Sequence, residues 1–92
     1  MTYNYTVVLL RDPDGGFVVT VPALPGCVTE GDDLAEALAN AAEATQAYVE
    51  SLLIDGEPVP HDAKDFDLET DEATEILVRH VTVAARQALA AA

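Results

Sequence analysis

Few side chains in this sequence could do covalent or metal chemistry: one cysteine, Cys27, and two histidines, His61 and His80. A thiol nucleophile needs a neighbouring base and a lowered pKa. Cys27 stands in Leu24-Pro25-Gly26-Cys27-Val28, and neither histidine has a motif that would pair with it. It reads as a small buried side chain near a strand start. A lone cysteine also excludes an internal disulfide framework and a multi-cysteine zinc site. His61-Asp62 places two metal ligands on a polar loop, too few for a site, and reads as solvated loop. The expectation is a protein that is not an enzyme and takes no cofactor.

The carboxylates point elsewhere. Asp and Glu number 17 against 4 Lys and Arg, a formal charge of −13. Asp12, Asp14, Glu30, Asp32 and Asp33 crowd into turns and strand ends that can share one rim. They are the candidate contacts for a basic partner, which such a surface attracts and orients. Two other readings stand beside this one: solvated turns with a helix cap, and acidity suited to a salt-rich cytoplasm. A reader of phosphate backbones needs a basic patch, so direct nucleic-acid binding is not expected.

These residues must be held by a small domain. The chain has 92 residues, half of them hydrophobic, enough for one core. Tyr3 to Leu10 alternates as a strand rich in β-branched and aromatic residues. Arg11-Asp12-Pro13-Asp14-Gly15-Gly16 is a hairpin connection, Phe17 to Val21 the returning strand, and Pro22 its end. After the Ala23-Leu24-Pro25-Gly26 turn, Cys27 to Glu30 makes a third strand and Gly31 closes the meander. Asp33 with Glu36 has capping-box spacing. Leu34, Leu38, Ala41, Thr45, Tyr48 and Leu52 then form one stripe of a helix over about 33–55. Asp55-Gly56 stops it, with Pro58 beyond.

Residues 56–74 read as an acidic loop, 75–84 as a fourth strand, and 85–92 as an alanine-rich tail. The order is β-β-β-α-β: an α+β domain over 1–92, with a meander in 1–31 and the helix packed on its sheet. The crossover allows a parallel pairing for the last strand. Val49 and Leu53 on the helix, with Val78, Val81 and Val83 on the fourth strand, exceed what one core face needs. They are the candidate interface of a homo-oligomer, a dimer or tetramer. The chain shows no apolar run of the ~20 residues a membrane span requires. It also lacks a basic-then-apolar leader, so a cytoplasmic location is expected.

The stretch Gly15-Gly16-Phe17-Val18-Val19-Thr20-Val21-Pro22-Ala23-Leu24-Pro25-Gly26-Cys27-Val28-Thr29-Glu30-Gly31-Asp32 resembles the HicB-like antitoxin family. Its marks are a strand ending in Val-Pro, then Leu-Pro-Gly-Cys, then Gly-Asp before a capped helix. Glu36-Ala37-Leu38-Ala39-Asn40-Ala41 and Asp55-Gly56-Glu57-Pro58-Val59-Pro60 extend the likeness, which covers roughly residues 3–60. In this resemblance Gly16, Pro22, Pro25, Gly26, Cys27, Gly31 and Gly56 are structural motif positions.

The resemblance implies a partial ribonuclease-H-like fold and an antitoxin role. The partner would be a small, basic, HicA-like toxin that cleaves messenger RNA, bound and occluded in a type II toxin–antitoxin system. Strands Tyr3–Leu10 and Phe17–Val21 carry none of the carboxylates that ribonuclease H chemistry needs for magnesium. Many members add a C-terminal DNA-binding segment. Residues 85–92 are too short for one, so operator binding is not expected. The alternative is an orphan homo-oligomeric module of the same fold with another protein or ligand as partner.

Overall fold

The computed structural model describes residues 2–65 and 75–84. The elements are β1 (Thr2–Arg11), β2 (Phe17–Thr20), β3 (Val28–Gly31), α1 (Leu34–Ile54) and β4 (Glu75–Ala84). They form one four-stranded sheet in the order β3-β2-β1-β4, with every neighbouring pair antiparallel. The expected α+β architecture, β-β-β-α-β with the helix on the sheet, is present. The pairing of the last strand differs: β4 runs antiparallel to β1, not parallel to a meander strand. The physical reason lies in β1, which is apolar on both faces and carries ten residues, while β2 covers only Val8 to Arg11. β4 supplies a full-length partner, from Thr2 opposite Ala84 to Arg11 opposite Glu75. The second half of the expected acidic loop, 66–74, and the tail, 85–92, lie outside the described residues.

The core forms between one face of the sheet and α1. Tyr5, Val7 and Leu9 of β1, Phe17 and Val19 of β2, and Val81 of β4 meet Ala37, Ala41 and Val49 of the helix. The fully buried stripe of α1 is Ala37, Ala41, Thr45 and Val49, spaced by fours. It shares Ala41 and Thr45 with the stripe read off the sequence and adds Ala37 and Val49. Leu34, Leu38 and Tyr48 flank the contact instead of centring it, because small side chains at the centre let the helix axis approach the sheet. Val49, Val81 and Val83 are buried within the chain itself. They belong to the core and leave the set of exposed interface residues. Leu53 packs partly against that core, while Val78 remains exposed.

The helix ends follow from the sequence. Asp33 is the N-cap and accepts from the Glu36 N–H at 2.8 Å, and Glu36 Oε1 accepts from the Asp32 N–H at 3.0 Å. The reach back thus lands one residue earlier than a strict capping box. At the other end Gly56 has φ +70°, the left-handed conformation glycine adopts without a Cβ penalty. The Gly56 N–H then donates to the Leu53 carbonyl and the Glu57 N–H to the Leu52 carbonyl, a Schellman closure.

The segment after the helix does not behave as a solvated loop. Tyr5 Oη donates to the Pro60 carbonyl at 2.6 Å. Asp62 accepts from the Thr6 N–H at 2.8 Å and from the Thr6 hydroxyl at 2.7 Å, and its Oδ1 also accepts from the Ala63 N–H. β2 is too short to reach Thr6, so one carboxylate satisfies a backbone donor the missing strand would have taken.

Burial raises the Asp62 pKa, but the hydrogen bonds from Thr6 and Ala63 and the charge of His80 outweigh it and hold the carboxyl below its ordinary value. A depressed folded pKa means the ionised latch stabilises the fold above the unfolded value of about 3.9, and that stability is lost as pH falls through the folded value. Asp62→Ala is expected to cost about 1–3 kcal/mol at neutral pH. Urea unfolding across a pH series checks this: the gap between wild type and variant should narrow as the medium is acidified below about pH 4.

Candidate functional site

At one end of the sheet the β1–β2 turn, the end of β3 and the first turns of α1 converge on an open cleft of about 310 Å³. Its lining includes Asp12, Glu30, Asp32, Glu36, Phe17 and Asn40. The turn is built by short-range bonds: the Asp12 N–H donates to the Gly16 carbonyl, the Gly15 N–H to the Asp12 carbonyl, and the Asp14 N–H to Asp12 Oδ1 at 2.8 Å. Consecutive left-handed glycines, Gly15 and Gly16, turn the chain back into β2. The Asn40 amide donates to the Glu30 carbonyl at 2.8 Å and fastens the helix to β3.

Gly31 sets how near α1 can come. A Cβ there would lie 2.4 Å from the Ala37 backbone nitrogen, a distance no packed atom tolerates, so only glycine allows this approach. The helix N-terminus consequently sits beside the acidic residues, and its partial positive charge favours them there.

Of the five candidate contacts, the cleft brings together Asp12, Glu30 and Asp32. Asp14 and Asp33 are not among its lining residues: Asp14 sits in the turn, and Asp33 is committed to the helix cap. The cleft adds Glu36 and Asn40, which sequence reasoning missed. Asp32, Glu36 and Asn40 recur every four residues, so one helical face was available as a signal, but Glu36 had already been assigned to capping. On the adjoining flank Arg11 lies over the Phe17 ring, 5.0 Å from its centroid, and 3.8 Å from the Glu75 carboxylate. An open acidic cleft of this size can seat a cationic side chain of another protein.

A second hollow, about 470 Å³, lies between α1 and the start of β3, lined by Cys27, Val28, Ala44, Ala47, Tyr48 and Leu52 among others. Tyr48 Oη donates to the Pro25 carbonyl at 2.8 Å and braces the turn. Leu24 and Cys27 are locked into that turn by backbone bonds to Val21 and Leu24. Burial pushes the Cys27 thiol up, with the Thr45 hydroxyl partly offsetting it. That is the opposite of what a thiolate nucleophile needs. Among the described residues no three His, Cys, Asp or Glu side chains converge as metal ligands, and no helix is long and apolar enough to cross a membrane.

Comparison with known proteins adds a consistent picture. The family described as HicB_like antitoxin of bacterial toxin-antitoxin system matches residues 5–87. A UPF0150 protein of Thermoplasma acidophilum is 53% identical over 59 residues, covering 64% of this chain and 86% of that protein. The N-terminal domain of the antitoxin HicB of Burkholderia pseudomallei superposes with a TM-score of 0.62 at 26% identity, over 88% of this chain and 95% of that one. A toxin–antitoxin complex from Streptococcus pneumoniae contains a chain of the same fold, with a TM-score of 0.76 at 19% identity, over 91% of this chain and 70% of that one.

Because Gly31 sets the approach of α1 and hence the shape of the acidic cleft, Gly31→Ala is expected to cost about 2 kcal/mol or more through overpacking. The midpoint of chemical denaturation, followed by circular dichroism, reads this directly.

Proposed function

The chain belongs to the HicB-like antitoxin family, and on that premise we propose that it binds and occludes a small, basic, mRNA-cleaving toxin of the HicA-like kind. The observation that carries this reading is the convergence of Asp12, Glu30, Asp32 and Glu36 on one open cleft in a chain of formal charge −13. Long-range attraction of that kind speeds encounter with a cationic partner and sets its orientation. Steric cover of the toxin's catalytic surface then silences it, with no covalent step, metal or cofactor on the antitoxin side. In this account the protein works by stoichiometry, in the cytoplasm where messenger RNA is the toxin's target, and it does not itself bind nucleic acid.

Glu30 and Asp32 are the residues to test, since the carboxylates that hold the helix cap are those of Asp33 and Glu36. Reversing both to lysine should slow association with the proposed basic toxin by roughly tenfold or more at low ionic strength, with the difference closing as salt is raised. Stopped-flow or surface binding across a salt series measures this. An unchanged association rate at low salt would remove the cleft from the interface.

A further inference from the structure

Among the described residues no strand lies beyond the outer edge of β4, and its register shows which backbone groups that edge presents. The Thr6 N–H points away from β4, toward Asp62. Tyr3, Tyr5, Val7, Leu9 and Arg11 are therefore the residues of β1 that exchange backbone bonds with β4, through Val83, Val81, Arg79, Leu77 and Glu75. Ile76, Val78, His80 and Thr82 then turn their N–H and C=O groups outward. The Arg79 guanidinium donating to the Val78 carbonyl at 3.0 Å agrees with this orientation.

The two edges of the sheet differ. β3 has four residues, and α1 guards it through Asn40 on the Glu30 carbonyl and through the close contact at Gly31. β4 has ten residues, and among the described residues no strand or helix pairs with its outer side. An open edge of that length is a template for another strand. In its first half the edge carries exposed apolar side chains: Ile76 is 37% exposed and Val78 44%.

Charge identifies the occupant. Of the 17 carboxylates, Glu75 alone lies on β1 or β4, and two of the four cations, Arg11 and Arg79, lie there too. A chain of −13 repels its own copies almost everywhere, but not along this strand pair. The acidic cleft, by contrast, is formed by the β1–β2 turn, β3 and α1.

We propose that two copies of this chain pair antiparallel through their β4 edges about a two-fold axis, joining two four-stranded sheets into one and burying Ile76 and Val78 of both protomers. This does not depend on what the acidic cleft binds. It leaves both clefts available.

Amide hydrogen exchange on the full chain, with sedimentation of the same samples at micromolar concentration, tests it. β1 protects alternate amides of β4 in any case, those of Leu77, Arg79, Val81 and Val83. Pairing of copies should add Ile76, Val78, His80 and Thr82, slowed ~100-fold or more relative to an open edge. The double variant Ile76→Lys with Val78→Lys, checked for folding by circular dichroism, should weaken the dimer at least ~10-fold by facing like charges across the join. A monomer with fast exchange at the four amides overturns the proposal. So does a dimer in which those amides stay fast, which would place the contact elsewhere. A monomer in which they are slow also overturns it, because the chain itself would then cover the edge.

Discussion

The fold depends on a tight approach between a helix and a strand end, where a Cβ on Gly31 of β3 would run into the Ala37 backbone. That contact fixes how deeply α1 sits, so the residues that face the sheet are small: Ala37, Ala41, Thr45 and Val49. The large residues Leu34, Leu38 and Tyr48 then seal the flanks. The same approach brings Glu36 and Asn40 beside Glu30 and Asp32, so the packing that builds the core also shapes the cleft. A bulkier seam would hold the helix off the sheet and scatter those carboxylates.

What was legible in the sequence was whatever is written locally. Asp33 and Glu36 announce a helix start and Asp55-Gly56 its end, and both lie where the residue types put them. The alternation of Tyr3 to Leu10 and of residues 75–84 shows as strands because period two is a property of neighbours. What was not legible depends on distant partners. Nothing near Asp62 says that its carboxylate will meet Thr6, and nothing in Glu75 to Ala84 says which strand it will join. The helix stripe is legible only in part for a related reason: Ala41 and Thr45 belong to it, but hydrophobicity weights leucine and tyrosine where close packing centres on Ala37 and Val49. Three of the five rim carboxylates, Asp12, Glu30 and Asp32, do share the cleft, because turns and strand ends at one end of a meander must cluster. Of the other two, Asp33 spends its carboxylate capping the helix, and Asp14 lies in the turn with its N–H donating to Asp12 Oδ1, outside the cleft lining.

The molecule divides its surface by charge. Acid gathers where the turn, β3 and α1 meet, while β1 and β4 are nearly neutral and carry apolar residues to an edge that no other strand joins among the described residues. The family supplies the kind of partner, an antitoxin's toxin, and the cleft supplies a physical reason for that partner to be basic. Neither the buried, pushed-up thiol of Cys27 nor the carboxylate of Asp62, spent on a backbone latch, is placed for catalysis.

The central claim is that this protein silences a small basic ribonuclease by binding it. The most direct measurement is affinity capture of the tagged chain from its native host lysate across a salt series, with co-eluting chains identified by mass and assayed for RNA cleavage. The account predicts one small basic protein in fixed ratio to the bait, released by salt, whose cleavage of RNA stops when the bait is added back at that ratio. Recovery of the bait alone, or of a partner whose RNA cleavage the bait does not stop, would contradict it.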